Sequence, residues 1–490
     1  MRIIVLGGSP KGETSVTMQY VEYLKRRYRD VTFDVRHPAI GIRRLENDRE
    51  AFDEMIAGVA EADGVLWAFP LYVHGVCSQY QRFIELIEER DAAGAFRGKA
   101  AASLSTSIHF FDNTAHDYIR SVCEDLGMAY VLSHSPKMDD LVKDEGRKAT
   151  EGFFEIFRGA VLDGIPATRL FPARPEDRNF RYESKASVPQ PVATGAKITI
   201  VADSQEGNLA GMIERFRSNF ADEVTVVDLQ AVNVAGGCLG CLKCGPANRC
   251  AWDGKDDVRG IYEEHIETTD ILVFAATVKG RWHSAVLKAF VDRGFFHTHQ
   301  PFLTGKQFAV LLDGPITTNS ALRDFFTSFP EWQGASLRGI VATESGDSAS
   351  IDAAVDAMAW RCAVAAQNGY RRPQTFLGTG GMDIFRDDIY GHLGMVFRAD
   401  HKFYRKNGIY KTMPHKRPLK FIGLRIVNLF VGLPPIRKRM STNMRTFMLT
   451  PYKMMFKSLG LDPIDGTASD GGPIKKGRRV KAKAKVDSAA

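Results

Sequence analysis

Ile3-Ile4-Val5-Leu6-Gly7-Gly8-Ser9-Pro10-Lys11-Gly12-Glu13-Thr14-Ser15-Val16-Thr17 is the stretch whose reading decides the fold. Its four apolar residues run straight into a glycine turn, as a buried parallel strand does, and are far too few for the core of a signal peptide. The turn is rich in hydroxyls and opens an amphipathic stretch, Met18–Tyr28. Free amides, side-chain hydroxyls and a helix dipole converge at such a turn, which suits it to a phosphate. It is not a Walker A loop, because Glu13 stands where a lysine is required, and it lacks the Gly-x-Gly-x-x-Gly of a dinucleotide site. A single terminal phosphate, as in FMN, fits it better than a pyrophosphate. The plainer alternative is an N-capped strand–helix turn.

Outward from this loop, apolar runs at Ile3–Leu6, Val31–Val35, Gly64–Phe69, Ala100–Ser105 and Ala129–Leu132 alternate with helical stretches. That is the pattern of a parallel sheet covered by helices, and five such strands suit a flavodoxin-like sheet with its ligand at their carboxyl ends. Lys197–Ala202, Glu223–Asp228, Ile271–Ala275, Phe308–Leu312 and Arg338–Thr343 repeat the plan, though not residue for residue. The expected fold class is α/β, with two tandem flavodoxin-like doubly wound parallel sheets and a basic, partly helical C-terminal extension. The expected domains are 1–172, a linker 173–196 rich in Pro, Arg, Ser and Gln, a second domain 197–378, and an extension 379–490, disordered at its end.

Two further loops belong to the same edge of the first sheet. Pro70-Leu71-Tyr72-Val73-His74-Gly75 leads into the helix Ser78–Glu89, and an aromatic at the mouth of a sheet can lie flat on a planar heterocycle. Tyr72 is therefore a candidate flavin neighbour; the alternative is a tyrosine packed on its own helix. The fourth strand ends in the polar run Ser105-Thr106-Ser107, which can hydrogen-bond a flavin ring. His109 and His116 are read as orienting or incidental, because hydride transfer to a flavin needs orientation more than a protein acid.

Between Gly236 and Trp252, four of the seven cysteines fall at Cys-x2-Cys-x2-Cys-x5-Cys spacing: Cys238, Cys241, Cys244 and Cys250. Three thiolates in so short a loop can wrap one face of an iron–sulfur cube while a fourth arrives from further on. Structural zinc more often takes two knuckles a dozen or more residues apart, and unmetallated thiols are the third reading. Cys77, Cys123 and Cys362 are scattered singletons of the buried kind.

Together, the Gly-Ser-Pro-Lys-Gly-x-x-Ser-x-Thr loop, the Phe-Pro-Leu-Tyr strand end, and the cysteine segment followed by Asp256-Asp257 resemble the NADPH-dependent FMN reductase and iron–sulfur flavoprotein group of flavodoxin-like NAD(P)H-dependent oxidoreductases. The resemblance covers residues 1–150 and 197–345. It implies FMN held by Ser9, Lys11, Ser15, Val16, Thr17, Pro70, Leu71, Tyr72, Ser105 and Thr106, and a 4Fe-4S cluster held by Cys238, Cys241, Cys244 and Cys250. NAD(P)H is then the electron donor. Two departures stand out. In the family, cluster and FMN share one domain, whereas here the second half has Ala275-Ala276-Thr277-Val278-Lys279-Gly280-Arg281-Trp282 in place of Pro-x-Tyr. Its phosphate-loop equivalent reads Ala202-Asp203-Ser204-Gln205-Glu206-Gly207-Asn208, and an aspartate there repels a phosphate. FMN is thus favoured in the first domain, and Trp282 either fills the vacated flavin space or stacks on a flavin bound differently.

The composition is that of an ordinary protein with real cores, at 44% apolar and 25% charged residues. Its net charge of +7 is divided, with +17 on residues 401–490 and −10 on the rest. Such asymmetry points to contact with anionic lipid, nucleic acid or an acidic surface. Within 401–461 there are fourteen basic and no acidic residues, and the apolar Phe421–Leu433 is too short to span a bilayer but long enough to lie on one. The expectation is peripheral membrane contact through 401–461, or docking on the acidic body or a second subunit; nucleic acid is disfavoured, since no recognition motif accompanies the charge. The chain is read as cytoplasmic, associated with the inner membrane face through that tail, and homo-oligomeric. Its expected function is hydride transfer from NAD(P)H to FMN, with electrons passed to an iron–sulfur cluster or to a small-molecule or protein acceptor. The rivals are an electron carrier or scaffold without its own substrate, and a quinone-type reductase whose cysteine loop holds structural zinc or no metal.

Overall fold

The computed structural model describes residues 1–413 except 176–179, 185, 186 and 188, together with the isolated positions 422, 423, 426, 433 and 435. The chain divides into two compact units, Met1–Tyr410 and Lys411–Ala490. Most of the apolar stretch Phe421–Leu433 and of the basic segment 401–461 lies outside the described residues. No described helix is long and apolar enough to cross a membrane.

The first sheet and its helices run β1 (Arg2–Gly7), α1 (Val16–Arg27), β2 (Thr32–Arg36), α2 (Ile42–Asn47), α3 (Arg49–Ala60), β3 (Gly64–Pro70), α4 (Ser78–Glu89), β4 (Ala100–Thr106), α5 (Asp112–Asp125), β5 (Ala129–His134) and α6 (Asp144–Asp163). The second continues with β6 (Ile198–Ala202), α7 (Gly207–Arg217), β7 (Val224–Asp228), α8 (Val258–Ile261), β8 (Ile271–Lys279), β9 (Trp282–His283), α9 (Ala285–Arg293), β10 (Gln307–Asp313), α10 (Ser320–Trp332), β11 (Ser336–Ala342) and α11 (Ser348–Gln367). Both sheets are parallel, in the orders β2-β1-β3-β4-β5 and β7-β6-β8-β10-β11. Strand order reverses beside the first strand of each half, the place where such sheets bind ligands. The apolar runs of β1 and β10 are continuous because helices cover both faces: Ile3–Leu6 and Phe308–Leu312 are fully buried.

All ten expected strands are present. One element was not foreseen: β8 runs on to Lys279 and turns back antiparallel through β9. That hairpin takes Trp282 away from the cofactor edge of its own sheet. The indole is buried against Tyr118 of the first half, with ring centroids 5.2 Å apart, and against Phe325 at 5.4 Å. Neither expected role for Trp282 is therefore its place here; it is an apolar plug between the two halves.

The halves share one hydrophobic core, in which Trp67, Tyr80 and Tyr118 of the first are continuous with Trp282, Phe290 and Phe325 of the second. Across this seam α4 and α9 cap each other. The Ser78 amide, at the start of α4, donates to Asp292 at 2.8 Å, and the Ala285 amide, at the start of α9, donates to Glu85 at 2.6 Å. Each carboxylate lies seven residues into its own helix, so the two helices are related by a local two-fold arrangement. Arg281, 2% exposed, spans the seam to both oxygens of Asp125 at 2.6 Å. Beyond α11, α12 (Phe376–Tyr390) and α13 (Arg398–Lys406) bury Phe385, Ile389, Asp400 and Tyr404, so the compact body runs on past 378.

Burial holds the imidazoles of His74 and His283 at about 3 and that of His116 at about 4. The unfolded chain protonates them at about 6.5, so a folded pKa depressed below that value contributes stability that is whole above it and lost as pH falls. The loss is about 1.4 kcal/mol per pH unit for each imidazole. The thermal unfolding midpoint should accordingly fall as pH is lowered from about 7.5 to about 6. Below that, Asp292, pushed up to about 6 by burial, takes up a proton in the folded state and opposes the loss. A midpoint that does not move over the upper range would show that these imidazoles are solvated in the native protein.

Candidate functional site

The glycine turn after β1 folds as its sequence requires. Gly8 passes so close to Tyr80 that a Cβ would lie 2.5 Å from the ring, and Gly12 has φ of +55°. Ser15 caps α1, its hydroxyl accepting from the Met18 amide at 3.3 Å, and the Ser9 hydroxyl accepts from the Lys11 amide at 3.2 Å. The amides of Val16 and Thr17 head the helix, where position denies them an intrahelical acceptor. Ser9, Ser15 and Thr17 are buried, and the Thr17 hydroxyl meets that of Thr106 at 2.7 Å. Strand register sets Thr106 opposite Pro70 and Ser105 opposite Phe69.

The expected FMN residues of the three loops therefore meet at one sheet edge, although their hydroxyls are not equivalent. Ser105 is buried and lies within hydrogen-bond distance of His116 Nε2 at 2.8 Å and Ser135 at 3.1 Å. It holds β4 to its neighbours, and His116 is a neutral core histidine tied also to Ser103 at 2.6 Å. His109 is half-exposed beside Asp112, whose carboxyl it helps hold below the usual carboxylate range against the opposing effect of burial.

The cysteine loop lies directly over this edge. A Cβ on Gly240 would stand 2.1 Å from the Tyr72 hydroxyl and 3.7 Å from Lys11 Cε, which explains why glycine is required there. Gln79 donates to the Cys238 carbonyl at 3.1 Å, and Arg43 donates to the Ala235 carbonyl. Sequence reasoning missed this contact between the halves, because no local pattern in either half reports its partner.

Cys238, Cys241, Cys244 and Cys250 line one small, largely apolar cavity with Leu239, Trp252, Phe295 and Phe296, and all are free thiols. Burial pushes the Cys244 thiol up to about 12 and that of Cys238 higher, while the Gly240 amide donates to Cys238 and partly offsets the shift. The loop is pinned from three sides. Asp256 accepts from the Ala235 amide at 3.0 Å and pairs with Arg293 at 2.6 Å, both groups being buried; Arg293 also reaches the Gly236 carbonyl at 2.9 Å. Trp252 donates to the Gly237 carbonyl at 3.2 Å, and the Ala399 amide of α13 donates to the Gly245 carbonyl at 3.1 Å. Among the described residues, no three or more His, Cys, Asp or Glu gather closely enough to hold a single metal ion.

The equivalent edge of the second sheet is built differently. Asp203, 2% exposed, turns inward to accept from the Thr277 amide at 2.9 Å and from the Ser284 hydroxyl at 2.5 Å. An open cleft of about 1010 Å³ lies there, lined by Glu85, Glu88, Glu89, Asp313 and Glu344 against Arg174 and Lys279. Carboxylates outnumber cations, an unfavourable setting for a phosphate-bearing cofactor.

Comparison with known proteins matches residues 1–139 to the family described as NADPH-dependent FMN reductase. No curated protein matches the chain. Among solved structures, an NADH:FMN oxidoreductase in its apo form is 23% identical over 32% of this chain and 88% of its own, with a TM-score of 0.28. The flavoenzyme NAD(P)H:(acceptor) oxidoreductase FerB from Paracoccus denitrificans is 17% identical over 33% of this chain and 98% of its own, with a TM-score of 0.27. The general stress protein 14 of Treponema denticola, in complex with FMN, is 12% identical over 32% of this chain and 98% of its own, with a TM-score of 0.26. The family match ends well before the cysteine loop. The match to the NADPH-dependent FMN reductase family thus spans the first sheet and its three loops.

Proposed function

We propose that the first sheet binds FMN through Ser9, Lys11, Ser15, Val16, Thr17, Pro70, Leu71, Tyr72, Ser105 and Thr106, and that the cysteine loop of the second half holds a 4Fe-4S cluster beside it. The observation that carries this reading is the seat of Gly240 against Tyr72 and Lys11, which brings the cysteine loop onto the flavin edge. When bound, FMN takes hydride from a nicotinamide, and an iron–sulfur cluster passes electrons on singly. The chain's own residues supply the rest. Val16 and Thr17 amides, with Ser9 and Ser15, cradle a phosphate at the positive end of α1, and the nearest acid, Glu13, is exposed. Tyr72, roofed by the cysteine loop, excludes water from the other end of the site.

For the cysteines, a cube of iron and sulfur fits better than zinc. Four thiols line one cavity, and three of them fall within seven positions rather than in two knuckles a dozen or more residues apart. An apolar wall, an amide aimed at Cys238 and a guanidinium beside Cys250 are the surroundings that stabilise cluster thiolates. In the same reading residues 1–172 are the FMN-binding domain, 197–378 the domain with the cysteine loop, and the acceptor is a small molecule or a protein.

Thr17→Glu places a carboxylate in the cradle and should strip FMN from the purified protein, measured as flavin per chain; stoichiometric flavin in that variant would refute the assignment. Cys241→Ser exchanges a soft thiolate for a hard hydroxyl, so iron content and reduction of one-electron acceptors should fall together while NAD(P)H still reduces the flavin. Anaerobically prepared wild type carrying zinc at about one per chain and no iron would make the loop structural. Gly240→Ala should drive the loop off Tyr72 and speed alkylation of the cysteines; the double change with Tyr72→Phe, which removes the nearest atom, should recover part of the protection.

A further inference from the structure

Tyr72 and Gly75 pair through both backbone hydrogen bonds, at 2.7 and 2.9 Å, closing a two-residue turn over Val73 and His74. Those two residues have φ of +35° and +66°. Such a turn prefers Asn-Gly, and a β-branched residue in it is strained. Within the first half His74 stacks on Phe111 at 4.3 Å and meets Phe110 at 5.0 Å, and no other described residue there bonds the side of the turn at Tyr72.

The second half supplies four contacts. Lys288 Nζ donates to the Tyr72 carbonyl at 2.9 Å, and Asp292, paired with Lys288, accepts from the Ser78 amide at 2.8 Å where the turn enters α4. Both charged side chains are 0% exposed. Trp282 packs against Gly75, and Phe325 meets the edge of the His74 ring at 5.7 Å. The local two-fold places Gln81 where Lys288 stands in the other half, and Gln81 likewise donates to a carbonyl across the seam, that of His283. A neutral amide thus makes the same kind of bond on one side that a buried ion pair makes on the other.

We propose that Lys288 and Asp292 are positioning residues for the flavin turn of the first half. The proposal rests on the reading that this turn receives FMN. Lys288 fixes the Tyr72 carbonyl, Asp292 fixes the first amide of α4, and together they hold Tyr72 in its strained turn before cofactor arrives. The first sheet is then incomplete as a flavin site without α9.

The test uses the full chain with FMN titrated by fluorescence quenching. Lys288→Met with Asp292→Asn removes both charges at nearly constant volume, a change that buried ion pairs often tolerate without loss of stability. The amide oxygen that Asp292→Asn leaves in place still accepts from Ser78, so only the donor to Tyr72 is lost. FMN should bind roughly 10-fold more weakly while the thermal midpoint stays within a few degrees of wild type. Lys288→Gln with Asp292→Asn restores a neutral donor in the manner of Gln81 and should recover most of the affinity. A purely structural role would move the midpoint, and the Gln and Met variants would bind FMN alike. Wild-type affinity in the Met variant, or equal weakness in both, overturns the proposal. If the Met variant does not fold, the Gln variant decides alone: affinity near wild type supports the proposal and a loss of 10-fold or more overturns it. A wild-type chain that binds no FMN overturns the underlying flavin reading itself, a result distinct from any difference among variants.

Discussion

The exchange of helix caps between α4 and α9 is the constraint on which the rest depends. A helix start buried at an interface leaves amides that water cannot reach, and each unsatisfied one costs about 1–3 kcal/mol. Here each half supplies the missing acceptor to the other, Asp292 to Ser78 and Glu85 to Ala285. The two sheets are thereby joined across a shared hydrophobic core. The same docking fixes the turn Tyr72–Gly75, which leads into α4, and the cysteine loop, whose anchor Arg293 follows Asp292 on α9.

Equivalent architecture has been put to unequal use. At the carboxyl edge of the first sheet, Ser9, Ser15 and Thr17 face a helix start without an acid among them. At the same edge of the second, Asp203 folds inward and takes the Thr277 amide and the Ser284 hydroxyl for itself. One carboxylate therefore both closes the strand end and raises the electrostatic cost of a phosphate nearby. Burial lifts the Asp203 carboxyl while its hydrogen bonds pull it back, as for a group serving structure.

Much of this was legible in the sequence, for physical reasons. Strands such as Ile3–Leu6 and Phe308–Leu312 announce themselves because parallel strands are apolar on both faces, and Ser78–Glu89 ends where its amphipathic pattern ends. The loop after β1 is readable because its chemistry is local: hydroxyls, glycines and a helix start lie within a dozen residues. What could not be read were pairings across the seam. Lys288 and Asp292 look like an ordinary surface pair four residues apart on a helix, and nothing in that spacing says that both are fully buried against Tyr72 and Ser78. Nor does the run Ser105-Thr106-Ser107 tell that the Ser105 hydroxyl lies within hydrogen-bond distance of His116 and Ser135.

The cysteine loop carries the same lesson one step further. Its thiols are sequence-local, but its placement is made by distant residues: Asp256 and Arg293 hold its entry, Trp252 its glycines and α13 its middle. Asp400 on α13 is wholly buried and accepts from the His299 amide and ring, at 3.2 and 2.7 Å, and from Gln300 at 3.1 Å, while the neighbouring Ala399 amide bonds Gly245. A loop rich in glycine loses much entropy on ordering, so rigid anchors on several sides are needed to keep four thiols around one cavity. Those anchors come from α9, from the residues after the loop and from helices beyond the second sheet. α11 serves the core of the second sheet, whereas α13 beyond it is part of what sets the cysteines against Tyr72, and loss of α13 would loosen the loop before it disturbed either sheet.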